Sequence, residues 1–481
     1  MTVTVSAVFK RASHPPLPQT AMQTGDATWG RQLFTGHDAV FQRVARKWAQ
    51  TSGLSASGPD AAETLAWETK IEEEFLRNQY TIWTCGPSAN AAMVLALDII
   101  RAESTQREPV VLYGMFSYLG SSGSNLANTS CPVWSADSPV QCDIFRGAAL
   151  PVILPLPYHL EAAANQQQCD EEAVELFRNV CLAWRLAVRK VVAVVIEPVI
   201  SWTGHKLSAH FLSNMQRVAT ELGVLLVLDE VITGFRLSGS LHCFALGFTP
   251  DVVILGKSAG FGLALLRRDL CPSPRTSSNN TRSSLRVPST VMPLLHLQFM
   301  HAVLSIWVEK KFADPAWLAQ RRQAAIHWIC RSLPIDPANI YGEGLLLCGP
   351  FCVVAMTELE GPKNRLFILA DGSLRPKDAG KVLQLDPNWK RNMDRLAAQL
   401  EQARHAAYEC LFCRVARFLA LCDASGATEN ALWDKLARHL GISRKQVKRQ
   451  FQHLEIVKAT RRASGAASGR VRSFTFDVSF E

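Results

Sequence analysis

The sequence predicts an α/β protein: a large domain on a mostly parallel sheet, a smaller α+β domain, and a basic C-terminal module. Three observations carry that expectation. Between about residue 80 and about residue 270, short apolar runs alternate with helical patterns, the order that yields a parallel sheet flanked by helices. Two of those runs end in charge, with Asp229 closing VLLVLD and Lys257 following VVILG. Between Ala431 and Arg472 there are eleven lysines and arginines against two acids, Asp434 and Glu455.

Taken in order, residues 1 to 25 contain Lys10 and Arg11 and no acid. SHPPLPQT reads as a disordered arm, with a transit peptide as the alternative. Strands are expected at Tyr80–Thr84, Val110–Tyr113, Leu150–Leu154, Val191–Ile196, Val224–Asp229 and Val252–Leu255, and helices over Asp170–Val188 and Ser208–Leu222. Another helix follows the glycine turn in TCGPSANAAMVLALDIIRA, with Ala92, Leu95, Ala96 and Ile99 on one face. An anion suits the start of such a helix, where unpaired N–H groups and the dipole favour negative charge. SPRTSSNNTRSSLR (Ser273–Arg286) is expected to be an exposed loop.

The two charged strand ends are the candidate site, since ligands of open α/β sheets bind outside the carboxyl ends of the strands. A buried acid such as Asp229 is costly without a partner. Asp229 or Glu230 capping the next turn is the plainer alternative. A lysine in a desolvated pocket loses proton affinity and becomes nucleophilic, and Gly256 lets the backbone beside it approach a ligand closely. A lysine together with a carboxylate facing a pyridinium nitrogen is the pattern of a pyridoxal phosphate site.

Four ordered segments, IEPVISWTG (Ile196–Gly204), LDEVITGFRLSG (Leu228–Gly239), TPD (Thr249–Asp251) and GKSAGFG (Gly256–Gly262), resemble the class III aminotransferases of the fold type I pyridoxal phosphate superfamily. DEVITGFR is nearest in form to the glutamate-1-semialdehyde aminomutase branch. Weaker resemblance runs from about residue 60 to about residue 409.

The resemblance implies that Lys257 joins the cofactor as a Schiff base and that Asp229 keeps the ring nitrogen protonated. It also implies that Val231 presses one ring face, Tyr118 of FSYLGSSG covers the other, and Gly86, Pro87, Ser88 and Thr290 hold the phosphate. Thr290, in PSTVMP, matches the position that reaches a neighbouring subunit's cofactor, so a homodimer is expected. Pro87, Ser88, Leu119 and Ile232 depart from the usual family residues, and Pro87 has no N–H to offer a phosphate. Arg236 and Arg375 are the candidates for a substrate-binding arginine.

The resulting division is an N-terminal arm with leading helices (1–59), a cofactor-binding large domain (60–312), a small domain (313–409) and a basic winged-helix-like module (410–481). In that module, LWDKLARHLGISRKQVKRQFQHL forms a helix-turn-helix with a break at Gly441 and Ser443 as N-cap. Arg444, Lys445, Lys448 and Arg449 lie on the exposed face of its second helix, and Arg461 and Arg462 on the flexible tip of a hairpin resembling a wing. One-signed charge concentrated on one module points to nucleic acid, with a solvated cap or a protein-binding module as alternatives.

Composition fits a large soluble protein, at 481 residues and 48% hydrophobic, with no apolar run long enough to span a membrane. Thirteen cysteines without a framework point to reduced thiols and a cytoplasmic setting, organelle import being the alternative. Cys410 and Cys413 form a CxxC within YECLFCRVARFLALC, read as one helix whose cysteines pack in the core. No second CxxC or histidine pair completes a metal site.

Two function classes follow. One is an amino-group-transferring enzyme acting on small amino and carbonyl substrates with pyridoxal phosphate. The other is a degenerate aminotransferase-like body serving as ligand sensor for a DNA-binding tail.

Overall fold

The computed structural model describes residues 34, 36–51, 61–86, 88–104, 109–116, 152–160, 164–186, 189–200, 203–236, 248–259, 261–270, 293–312, 314–355, 363–368, 381–421 and 429–450. Two leading helices, α1 (His37–Thr51) and α2 (Ala61–Glu74), precede β1 (Tyr80–Gly86) and α3 (Ala89–Glu103). Then come β2 (Pro109–Gly114), β3 (Ile153–Leu154), α4 (Gln166–Leu186), β4 (Lys190–Ile196), α5 (Ala209–Leu222), β5 (Leu225–Asp229), β6 (Val252–Leu255) and β7 (Gly262–Arg267). The sheet they form has seven strands in the order β1-β7-β6-β5-β4-β2-β3. Within it β7 alone is reversed, antiparallel to both β1 and β6, while β6, β5, β4, β2 and β3 pair in parallel.

The expected strands and the parallel architecture are present. β7 is not among the expected strands, because LALLR follows GKSAGFG so closely that no turn signal separates them. The expected helix at Asp170 begins earlier, at Gln166. Gln166, Gln167 and Gln168 each donate to the acid four residues on, Asp170, Glu171 and Glu172, and these pairs support an additional turn. Ser208 caps α5 as expected, accepting from Phe211 N at 2.9 Å, and Gly223 ends the helix at φ +65°. On α3 the buried stripe is Ala92, Met93, Ala96, Leu97 and Ile100, rotated from the predicted face.

Strand alternation sorts the sheet into two faces. Leu226 and Leu228 face α4 and α5, whereas Val227 and Ile254 face α3. Asp229, two residues beyond Val227 and in register with Ile254, shares the α3 face.

Beyond the sheet lie α6 (Pro293–Glu309) and α7 (Pro315–Ser332), then an antiparallel sheet in the order β10-β8-β9. Its strands are β8 (Leu346–Ala355), β9 (Lys363–Phe367) and β10 (Lys381–Leu385). It corresponds to the α+β region expected after residue 313.

The chain ends in α8 (Trp389–Glu409), α9 (Leu411–Leu421), α10 (Glu429–Leu440) and α11 (Arg444–Gln450). Two features differ from the sequence reading. The stretch expected to be one helix breaks at Cys410 into α8 and α9. Moreover, Cys413, Val415, Ala416, Trp433, Leu436, Leu440 and Val447 belong to the same apolar cluster as Phe177 and Val180 of α4 and Phe211 of α5. The described residues of 410–421 and 429–450 are thus packed on the body. Two helices joined by a tight turn are present, with Gly441 at φ +68° and Ser443 and Gln446 capping each other in the manner of a capping box. The expected wing lies outside the described residues.

Candidate active site

β5 and β6 are neighbours, and each delivers one charged group at its carboxyl end. Asp229 is 5% exposed and accepts from Val231 N at 3.0 Å. Burial, followed by the negative charge of Glu197, pushes its carboxyl up to about 8. Lys257 sits in a single-turn 3-10 helix directly after Gly256, at φ +38°. A non-glycine residue in that region carries strain of about 1–3 kcal/mol, a frequent feature of functional sites. Burial first, then the positive charges of Arg365 and Arg236, lower its amine to about 7. Asp229 and Lys257 influence each other less than these other neighbours do. The two strand ends thus hold a buried acid and a buried amine within reach of each other's charge.

The start of α3 is pressed against the same strand ends. A Cβ added at Gly256 would come within 2.5 Å of the Ala89 methyl and 3.1 Å of Val231 Cγ1. One added at Gly262 would overlap the Ser88 carbonyl oxygen. Glycine at both positions brings the α3 N-terminus next to Lys257, where its field favours an anion. Ser88 is the N-cap, its Oγ accepting from Ala91 N at 3.2 Å, and its own hydroxyl proton is available to a ligand. Gly86 closes β1, and a Cβ there would lie 3.0 Å from the Ala91 methyl.

Of the residues predicted from sequence, the structure brings together Asp229, Val231, Lys257, Gly86 and Ser88. Val231 packs against the same apolar cluster as Val227 and Ile254. Pro87, Tyr118, Leu119, Thr290 and Arg375 lie outside the described residues.

Arg236 is buried and donates to Ile232 O at 2.8 Å, with its guanidinium 4.5 Å from the Phe367 ring. Arg365 of β9 lies 5.9 Å from the same ring. Arg365 is not among the arginines expected from the sequence, which are Arg236 and Arg375. Glu197 is not among the expected site residues either, although an acid following the apolar run VVAVVI carries the same signal as Asp229.

On the C-terminal helices, Lys445 and Arg449 are exposed, Lys448 is half-buried, and Arg444 turns back to Asp434 at 3.4 Å. Arg461 and Arg462 lie outside the described residues. Among the described residues, no group of three or more histidine, cysteine or acidic side chains is arranged to hold a metal ion.

Comparison with known proteins gives a family and a likeness of fold. The class-III aminotransferase family pattern matches residues 29–269, half of the chain. A glutamate-1-semialdehyde 2,1-aminomutase of Roseiflexus castenholzii is 32% identical over 194 residues, covering 38% of this chain and 39% of that protein. Glutamate-1-semialdehyde 2,1-aminomutase 2 of Halalkalibacterium halodurans is 29% identical over 246 residues, covering 49% and 50%. The chain thus spans half or less of the length of these curated relatives. An aminotransferase structure from Bacillus anthracis superposes with a TM-score of 0.51 at 18% identity, over 79% of this chain and 87% of that one, a likeness of fold. With its sheet order, its paired strand-end charges and the family match over residues 29–269, the chain belongs to the class III aminotransferases, a family dependent on pyridoxal phosphate.

Proposed function

We propose that the chain is a pyridoxal phosphate enzyme that moves an amino group between small amino and carbonyl compounds, as an aminotransferase or aminomutase. The observation that carries this reading is the buried Asp229 beside a lysine whose amine is lowered to about 7, with the start of α3 packed against both strand ends. The residues fit the cofactor. A desolvated carboxylate suits a protonated pyridine nitrogen, a neutral amine suits an aldehyde, and a helix start suits a phosphate.

When bound, the cofactor supplies an electron sink for the carbon that loses a proton. The protein's own part is to hold and to move protons. Asp229, kept in place by the Val231 N–H, fixes a proton on the ring side. Lys257 Nζ, poised near neutrality, takes and returns a proton at the reacting carbon. Arg236 and Arg365, both within 6 Å of the Phe367 ring and both acting on Lys257, suit a substrate that carries a carboxylate.

Reductive trapping tests the core of this proposal. Full-length protein incubated with pyridoxal phosphate and reduced with borohydride should carry the cofactor on the peptide containing Lys257, and Lys257→Ala should carry none. Labelling of another lysine in the wild type, or equal visible absorbance in Lys257→Ala, would overturn it.

Two assembly features belong to the same proposal. Phe41 of α1, Leu65 of α2 and Val308 of α6 are exposed apolar side chains, which supports a homodimer. Lys445 and Arg449, held outward while Val447 is buried beneath them, support contact of α11 with DNA. A duplex-binding assay across salt concentration checks this contact, and a flat salt dependence would exclude it. Cysteine usage supports a cytoplasmic location, and no helix among the described residues is long and apolar enough to cross a membrane.

A further inference from the structure

The break between α8 and α9 changes what the CxxC can do. In one continuous helix, Cys410 and Cys413 would be two positions on a packed stripe. Instead Cys410 is a junction at φ −54° and ψ 129°, its N–H bonded to Ala406 O at 3.1 Å and its carbonyl accepting from Arg414 N at 2.9 Å. It therefore ends α8 and stands at the N-cap of α9, with Cys413 one turn inside. This is the placement in which helix-start N–H groups and the dipole favour a thiolate on the outer cysteine.

Cys410 is half-buried at the surface, while Cys413 is 1% exposed in the cluster between α4 and α9. Neither is in a disulfide, and Cys413 shares a hydrogen bond with Cys410. Packing alone accounts for Cys413. Cys410 packs against the same cluster, yet it adds a second thiol at the helix start, half-open to solvent and bonded to the first.

We propose that Cys410 and Cys413 form a redox-active dithiol that closes to a disulfide by exchange with a small-molecule disulfide. The Cys410 thiolate attacks one sulfur of the small disulfide, whose S–S bond breaks and releases one thiolate. Cys413 then gives up its proton and attacks the Cys410 sulfur, forming the intrachain bond and releasing the second thiolate. The two protein thiols are oxidised, the small disulfide is reduced to two thiols, and the protons pass to the departing thiolates and solvent. That hydrogen bond and burial hold the Cys413 thiol well above its ordinary range, which suits it to the second step rather than the first. The closed ring would brace the elbow through which α9 docks on α4. This site is independent of the cofactor reading.

The test treats full-length protein with oxidised glutathione, blocks remaining thiols with an alkylating agent, and maps the peptides. The peptide spanning residues 410 to 413 should lose two hydrogens and both alkylations, and dithiothreitol should restore them. Cys169 and Cys330, half-buried on α4 and α7, serve as internal references that can take up glutathione without closing a ring. Cys413→Ser should trap a glutathione adduct on Cys410, and Cys410→Ser should leave Cys413 unmodified while the protein is folded. Wild-type protein that keeps both alkylations, or that stops at a glutathione adduct on Cys410, would overturn the proposal. The wild-type mapping decides the matter even if neither variant folds.

Discussion

The ends of β5 and β6 and the pair α10–α11 both gather charge, and they treat it in opposite ways. At the strand ends, Asp229 is 5% exposed and Glu230 fully buried, and burial displaces the carboxyl of Asp229 and the amine of Lys257 toward neutrality. On α10 and α11, apolar side chains such as Leu436 and Val447 go inward while Lys445 and Arg449 stay in water. Charge in the first region is costly to hold and so points to chemistry. Charge in the second costs the fold little and is available to a partner.

Substitutions can sharpen that contrast. The largest effect is expected from Lys257→Ala, which should lower amino-transfer turnover by about 10³-fold or more, measured with the cofactor at saturation. Leu436→Ala, inside the cluster that joins α10 to the body, should cost about 2–5 kcal/mol in urea unfolding. A loss confined to α10–α11, with the rest of the chain unaffected, would mean that these helices are a separate unit. Gly262→Ala forces a methyl against the Ser88 carbonyl and should cost about 1–3 kcal/mol. It should also weaken cofactor binding, measured by absorbance titration, because the start of α3 must shift.

Asp229→Asn tests the buried side of the comparison by pH. The carboxyl of Asp229 in the cofactor-free protein is raised from 3.8 to about 8, so the folded state binds its proton more tightly than the unfolded chain. Its contribution to stability is complete below about pH 4 and is lost as pH climbs toward 8. Asp229→Asn should remove that decline from a series of urea midpoints. Lys257, lowered from 10.5 to about 7, acts in the other direction, with stability recovering from pH 7 upward. The smallest effect belongs to the solvated side: Lys445→Ala with Arg449→Ala should change stability by about 0.5 kcal/mol or less. The same pair should reduce the salt slope of duplex binding by about two.

Much of the large sheet was legible because its strands are buried on both faces and read as continuous apolar runs. Asp229 and Lys257 were legible for the same reason, since charge at the end of such a run stands out. Arg365 was not, because nothing local marks it. Its place beside Lys257 arises from the way the small sheet folds back over the large one. The break at Cys410 was invisible for a different reason. YECLFCRVARFLALC keeps a helical apolar period across the junction, and α8 and α9 both contribute to the cluster around α4, so one pattern serves two helices. Of the basic residues at 444–449, Lys445 and Arg449 are exposed, whereas the ion pair of Arg444 with Asp434 depends on the turn geometry at Gly441.

The reversed strand β7 has a mechanical consequence for Lys257. β6 and β7 pair from Val252 with Leu266 through Leu255 with Leu263, so the lysine rides on the closed end of a hairpin. β7 is fastened on its other side to β1 and pressed from above by α3. The main chain under the lysine is therefore braced by pairing and by packing. Travel of the amine then falls to rotation along its four-carbon stem, a short arm swinging from a braced pivot.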